Sequence, residues 1–212
     1  MSRTLKYDIP GPDWRIRPDD VRESGWEKIF EREISSLRLI VDVGFGRGEF
    51  LTQLAQRDPG SAVLGVEYSY KRTLKLARRL ARSDLCNVRL IEATAEQVVG
   101  ELLPDASVTT FWINFPDPWP KKRHHRRRLI GPDFARELAR RLVLGGVVHV
   151  ATDHAEYAEV IDAALAGEPL LENLYAPEPF RGEASDRDAT AYELEWRAQG
   201  RRFHFFAYRR RG

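Results

Sequence analysis

The sequence predicts an α/β fold, with a seven-stranded, mostly parallel sheet and an antiparallel edge strand. Three observations predict it. Near-continuous apolar runs, typical of strands buried on both faces, recur along the chain. Each of the first five is followed by a helical pattern after a short connection, which implies parallel βαβ units with right-handed crossovers. The chain then closes with two strand-like segments and no good helix between them, which implies a terminal hairpin. With 212 residues, 42% of them hydrophobic, the chain suits one domain over 25–212 behind an extended arm over 1–24.

The elements follow in order. Pro10, Pro12 and Pro18 lie among charges in the arm and argue against regular structure there; Trp14 either pins the arm to the body or touches a ligand. From Gly25 to Leu37, Trp26, Ile29, Phe30, Glu33 and Ile34 recur at helical spacing. Strands are expected at 37–43, 61–68, 87–93, 108–115 and 147–153. Helices are expected at 48–58, 69–84 (strongly basic), 94–103, from Pro132 to about Leu142, and at 155–165. Gly145 and Gly146 stop the fourth of these. The closing strands are 170–176 and 202–210. The segment from Pro177 to Asp188 mixes Pro, Gly and charge and reads as a mobile loop.

Net charge is only +2, yet KKRHHRRR between Lys121 and Arg128 concentrates cations, and Arg209, Arg210 and Arg211 add more. Such blocks in a nearly neutral chain suggest a polyanion contacting one face. A single cysteine, Cys86, excludes an intrachain disulfide. The five histidines show no metal-site spacing, so no metal is expected. There is no membrane-length apolar run and no signal-peptide pattern, so a cytoplasmic protein without a membrane partner is expected.

In a sheet of this kind, ligands sit at the carboxyl ends of the strands. The first strand ends in Asp42, then Gly44, Gly46 and Gly48 at alternate positions, where bare backbone can meet a ligand. Glu67 ends the second strand 19 residues beyond Gly48, where an acid grips ribose hydroxyls. Spacing GxGxG rather than GxGxxG favours S-adenosylmethionine over a dinucleotide. Asp42 adds to this, because a carboxylate there meets the ammonium of a methionine moiety and repels a pyrophosphate. Thr94 either contacts adenine or only caps the next helix. The fourth strand runs into NFPDPWPK, a loop stiffened by three prolines. It presents Asp117 and Trp119 where a substrate base would meet the methyl group. The adjoining cations from Lys121 read as a phosphate-binding surface. Asp153 either holds the substrate base or caps the following helix.

Together, DVGFGRGEFL, GVEYS, NFPDPWPKKRHHRRRL, VATDH and TAYE resemble the bacterial tRNA (guanine-N7-)-methyltransferases, from about residue 26 to the C-terminus. The resemblance implies a Rossmann-like class I S-adenosylmethionine-dependent methyltransferase fold. It implies methyl transfer to N7 of a guanine (position 46, variable loop) in tRNA. By motif position it implies Asp42, Glu67 and Asp117 as cofactor-contacting acids, with Asp117 also catalytic. Lys121, Asp153, Thr190, Ala191, Tyr192 and Glu193 fall at substrate-binding positions. Two departures stand out. Thr94 replaces the family's acidic or Asn-like residue, and Leu194, Glu195 and Trp196 precede Arg197 where the family has a basic residue and a glycine. Three rival readings stay open at this point: an exocyclic-amine methyltransferase, a nicotinamide oxidoreductase, and a non-catalytic RNA-binding protein. The oligomeric state stays open between monomer and homodimer.

Overall fold

A computed structural model describes residues 8–31, 38–184, 187 and 189–212. Its strands are β1 (Arg15–Ile16), β2 (Leu39–Val43), β3 (Ala62–Glu67), β4 (Val88–Glu92), β5 (Val108–Asn114), β6 (Leu142–Thr152), β7 (Leu171–Asn173) and β8 (His204–Arg210). The helices are α1 (Pro18–Phe30), α2 (Glu49–Arg57), α3 (Tyr70–Leu80), α4 (Ala95–Gln97), α5 (Pro132–Arg141), α6 (Ala155–Ala166) and α7 (Ala191–Arg197). A π-turn over Val98–Leu102 prolongs α4. The strands form one sheet in the order β1-β4-β3-β2-β5-β6-β8-β7. All pairings are parallel except those of β8, which runs antiparallel to β6 and β7.

The sheet therefore has eight strands, one more than expected, and the extra one comes from the arm. Trp14 explains why. Its carbonyl accepts from Leu90 N at 2.9 Å, and the Arg89 guanidinium lies 4.7 Å from its ring. The chain entering β1 is thus held against the edge of β4. Pro18 takes the first turn of α1, where a missing N–H costs nothing. The helix expected to begin at Gly25 therefore begins seven residues earlier and kinks at Gly25 (φ 72°). Its expected tail, with Glu33 and Ile34, lies outside the described residues.

Two other differences matter for the site. Gly145 and Gly146 do not follow a helix end. They lie inside β6, where Gly145 has φ 79° and the register against β5 shifts, as in a bulge. The closing strands pair antiparallel as expected, but a short helix, α7, stands between them, and the antiparallel strand β8 lies between β6 and the edge strand β7. Because Val147 pairs with Arg209 and Thr152 with His204, Arg209 and Arg210 lie at the amino end of the parallel strands. Arg209 pairs with Glu172 at 2.6 Å, and Arg211 donates to the Pro169 carbonyl at 2.7 Å. These arginines fasten the far edge and do not share a face with Lys121–Arg128.

The core lies on both faces of the central strands. Leu39, Val41, Leu64, Phe111 and Val148 are fully buried, as are Leu51, Leu74 and Leu138 on the covering helices. Each such side chain contributes roughly 1.5–3 kcal/mol on burial. The helix–sheet packing leaves the carboxyl ends of β2, β5 and β6 open. From β2 the chain winds outward through β3 to β4, then returns to place β5 on the other side of β2, so a crevice forms at this switch point.

Candidate active site

The turn after β2 owes its shape to its glycines. Gly44, Gly46 and Gly48 have φ of 75°, 58° and 77°, values that side chains disfavour. A Cβ on Gly44 would meet nothing within 4 Å, so that backbone stays bare toward the crevice. A Cβ on Gly48 would come within 2.4 Å of Leu76 Cδ2, so this glycine allows α2 and α3 to pack closely. Glu67 braces the same turn. Its side-chain oxygens accept from Gly46 N at 3.1 Å and Ser69 N at 3.0 Å, and Arg72 lies 3.4 Å away.

Asp42 is only 2% exposed, and its Oδ2 has no hydrogen-bond partner. Burial, reinforced by the nearby Glu67 carboxylate, pushes its pKa up to about 7, while the Arg187 guanidinium opposes the rise. An acid in this state is poised to receive a cationic group. Asn114, the last residue of β5, likewise has a buried Nδ2 with no partner.

The loop after Asn114 is held in a defined shape. Phe115 and Trp119 adopt φ of 55° and 43°, and such conformations persist only where surroundings enforce them. Phe115 N donates to the Ala151 carbonyl at 2.8 Å. Arg128 is the main clamp on the distal side. Its Nε donates to the Pro118 carbonyl at 2.8 Å, its Nη2 reaches Glu156 at 3.1 Å, and its guanidinium covers the Tyr157 ring. Only 5% of its side chain is exposed, so it serves the loop rather than a phosphate. Asp117 is left exposed on the wall of the crevice. The preceding cations form a 3-10 turn over Lys122–Arg127, mostly exposed, with Arg127 5.0 Å from the Trp119 ring.

The opposite wall is α7. Thr190 caps it by accepting from Glu193 N at 3.0 Å. The Tyr192 hydroxyl donates to Asp153 Oδ2 at 2.9 Å, and Arg201 pairs with the same oxygen. Asp153 is thus bound across the cleft, and His154 takes the cap of α6, with Nδ1 accepting from Tyr157 N at 3.2 Å. Glu193 faces inward, paired with Arg187 and, at 2.9 Å, with Arg197. Its carboxylate is occupied in seating α7. The segment before α7, expected to be mobile, contacts the closing strands where it is described. Arg181 bridges to Phe205, and Asn173 Nδ2 donates to the Glu178 carbonyl at 2.9 Å.

These walls enclose a cleft of about 560 Å³. It brings together Asp42, Gly44, Gly46, Asp117, Asp153, Thr190, Ala191 and Tyr192. Gly48, Glu67, Thr94, Lys121 and Glu193 are not on its wall. Thr94 accepts from Gln97 N at 3.2 Å as the cap of α4. Arg47, Arg72, Asn114 and Arg201 also line the cleft, and sequence reasoning missed them. Only Asn114 carried a signal, as a polar residue ending an otherwise apolar strand. Among the described residues no helix is long and apolar enough to cross a membrane, and no group of His, Cys, Asp and Glu is placed to hold a metal.

Comparison with known proteins agrees with this geometry. The pattern of a family described as "Putative methyltransferase" matches residues 36–206. Relatives named tRNA (guanine-N(7)-)-methyltransferase include one from Thermotoga maritima, 39% identical over 84% of this chain and 54% of its own length. One from Alkalilimnicola ehrlichii is 40% identical over 81% of this chain and 72% of its own length. One from Geobacter metallireducens is 31% identical over 99% of this chain and 97% of its own. The chain thus spans about half the length of the Thermotoga protein and nearly all of the Geobacter one. Among solved structures, the 16S rRNA methyltransferase KamB superposes with a TM-score of 0.62 at 15% identity, covering 90% of this chain and 94% of that one. The aminoglycoside resistance methyltransferase NpmB1 gives 0.60 at 18%, covering 87% and 93%. These two bear on the fold alone, which is that of the class I methyltransferases. With the family pattern and the Alkalilimnicola and Geobacter relatives in agreement, the chain belongs to the tRNA (guanine-N7-)-methyltransferases.

Proposed function

We propose that this protein transfers a methyl group from S-adenosylmethionine to N7 of a guanine in tRNA, the variable-loop guanine being the target. One observation carries the reading. A single cleft holds an unpartnered buried carboxylate oxygen on Asp42 above the bare Gly44–Gly46 turn, with Asp117 on a rigid loop beside it. The residues fit the cofactor. Asp42 offers its unpaired oxygen to the cofactor's ammonium, Gly44 and Gly46 leave room for its chain, and Glu67 braces that turn from behind through Gly46 N and Ser69 N. When bound, S-adenosylmethionine supplies an electrophilic methyl on a sulfonium.

The chain's own work is positioning. Guanine N7 carries an in-plane lone pair and no proton, so no general base is required. Holding the ring in line is a matter of proximity and orientation. Methylation leaves positive charge on the purine, and the Asp117 carboxylate stabilises it as it develops. The clamped Pro116–Pro118 backbone keeps Asp117 in place without reorganisation. Tyr192, held by Asp153 and packed 4.8 Å from Phe115, forms the facing wall for the base. Lys121 and the cations after it hold the phosphates alongside.

The test is to incubate the protein with radiolabelled S-adenosylmethionine and unmodified tRNA, then map the labelled nucleoside. Label at N7 of the variable-loop guanine is expected. Label on an exocyclic amine, or none with S-adenosylhomocysteine still bound, would overturn the proposal in favour of a different target atom or a non-catalytic binder.

A further inference from the structure

On helices α1 and α5 the exposed arginines are neutralised by acids on the same helix. On α1, Arg22 pairs with Asp19; on α5, Arg136 pairs with Asp133 and Arg140 with Glu137. Helix α3 breaks the pattern. Its inward face is apolar, with Thr73, Leu74, Leu76, Ala77 and Leu80 buried. Its outward face carries Lys71, Arg72, Lys75, Arg78 and Arg79, with Arg82 just beyond, and Tyr70–Leu80 contains no acid.

Two of these cations have structural work. Arg72 reaches Glu67, and Arg78 donates to the Asp8 carbonyl. Arg79 donates to the Arg47 carbonyl at 3.0 Å and pairs with no acid among the described residues. The side chains of Lys71, Lys75 and Arg82 are exposed and make no ion pair or hydrogen bond among the described residues. Asp84, two residues past Arg82, makes no ion pair with it. Like charges one turn apart repel and destabilise a helix, so an uncompensated stripe calls for an anionic partner outside the chain.

The stripe's position identifies that partner. It starts beside Arg72, on the wall of the cleft, and runs about 16 Å away from it at 1.5 Å per residue. The Lys121–Arg127 turn follows Asp117, on a different strand end of the same cleft. Cations therefore flank the cleft on two sides, an arrangement that suits an extended polyanion. We infer that the outward face of α3, through Lys71, Lys75, Arg79 and Arg82, is a second phosphate track that holds a stretch of the RNA backbone away from the reacting guanine. This rests on the proposed function, whose substrate is an RNA. Phosphate contacts fix register and carry no sequence information, so the track supplies affinity and orientation and leaves sequence choice to the cleft.

The test is the triple variant K71Q/K75Q/R82Q, compared with wild type for tRNA binding across a salt series. Each lost phosphate contact lowers the slope of log affinity against log salt by about 1. The slope should therefore fall by about 3, with at least a tenfold loss of tRNA affinity at low salt. S-adenosylhomocysteine affinity should not change, and the melting temperature should not fall. An unchanged slope overturns the inference. So does wild-type capture by vesicles of mixed phosphatidylglycerol and phosphatidylcholine that the triple variant abolishes while its tRNA binding stays intact. If wild type binds tRNA with the expected slope change but methylates no guanine, the proposed function fails and the track survives. If wild type methylates N7 and the variant's slope is unaltered, only the track fails.

Discussion

Replacing Asp42 with Asn makes a sharp test of the site, because the free protein bears the cost of that acid alone. Burial raises the Asp42 pKa from 3.8 to about 7. Each unit corresponds to about 1.4 kcal/mol, so keeping the side chain ionised costs the fold about 4 kcal/mol above pH 7. The direction follows from proton binding. The folded state holds the Asp42 proton more tightly than the unfolded chain, so the penalty is absent below about pH 4, grows as pH rises, and is complete above about pH 7. Asp42→Asn removes that slope. The buried amide carries its own cost of about 1–3 kcal/mol, so at pH 8 the variant should be more stable than wild type by roughly 1–3 kcal/mol. It should also lose affinity for S-adenosylhomocysteine, whose ammonium no longer meets a charge. Wild-type affinity for that ligand should rise about tenfold per pH unit below pH 7 and then level off, since binding requires the ionised acid. Denaturant melts of both proteins from pH 5 to pH 8, with calorimetric titration of the ligand, measure all of this. Parallel stability curves, or a ligand affinity indifferent to pH, would refute the assignment of Asp42 as the ammonium's partner.

Other outcomes follow from the same geometry. Asp117→Asn should lower turnover about a hundredfold, the usual effect of removing one charge-stabilising group, with tRNA affinity nearly unchanged; equal losses in single-turnover rate and in affinity would count against it. Gly48→Ala places a methyl 2.4 Å from Leu76 Cδ2 at a φ of 77°, so thermal unfolding should show a loss of about 1–3 kcal/mol from overpacking. Arg128→Ala removes the donor to the Pro118 carbonyl and the partner of Glu156. It should cost about 1–3 kcal/mol and lower the methylation rate through a loosened Asp117 loop. Amide hydrogen exchange over residues 115–121 would reveal the loosening, and unchanged exchange there would reject the clamp.

The parallel core of the fold was legible in the residues because its signals are local. Apolar runs at 39–43, 62–67, 88–92 and 108–114 hide both faces of a parallel strand, and the glycines after Asp42 and the prolines around Asp117 restrict backbone angles by themselves. Asp42, Gly44, Gly46 and Asp117 could be named from spacing because each lies within a few residues of a strand end. What depended on distant partners was not legible. Arg15 and Ile16 become a strand only because Trp14 finds Arg89 and the edge of β4. Glu193 reads as a substrate contact beside Tyr192, yet helical geometry turns the two in different directions, and Arg187 and Arg197 claim the carboxylate. Arg128 looks like one more phosphate ligand in KKRHHRRR, but the Pro118 carbonyl, Glu156 and Tyr157 meet it from separate elements. Arg209–Arg211 resemble a second basic patch until the antiparallel direction of β8 carries them to the opposite edge. Local sequence sets which backbone states and which faces are available. The choice of partner for a charged side chain is a long-range contact, and only the folded chain decides it.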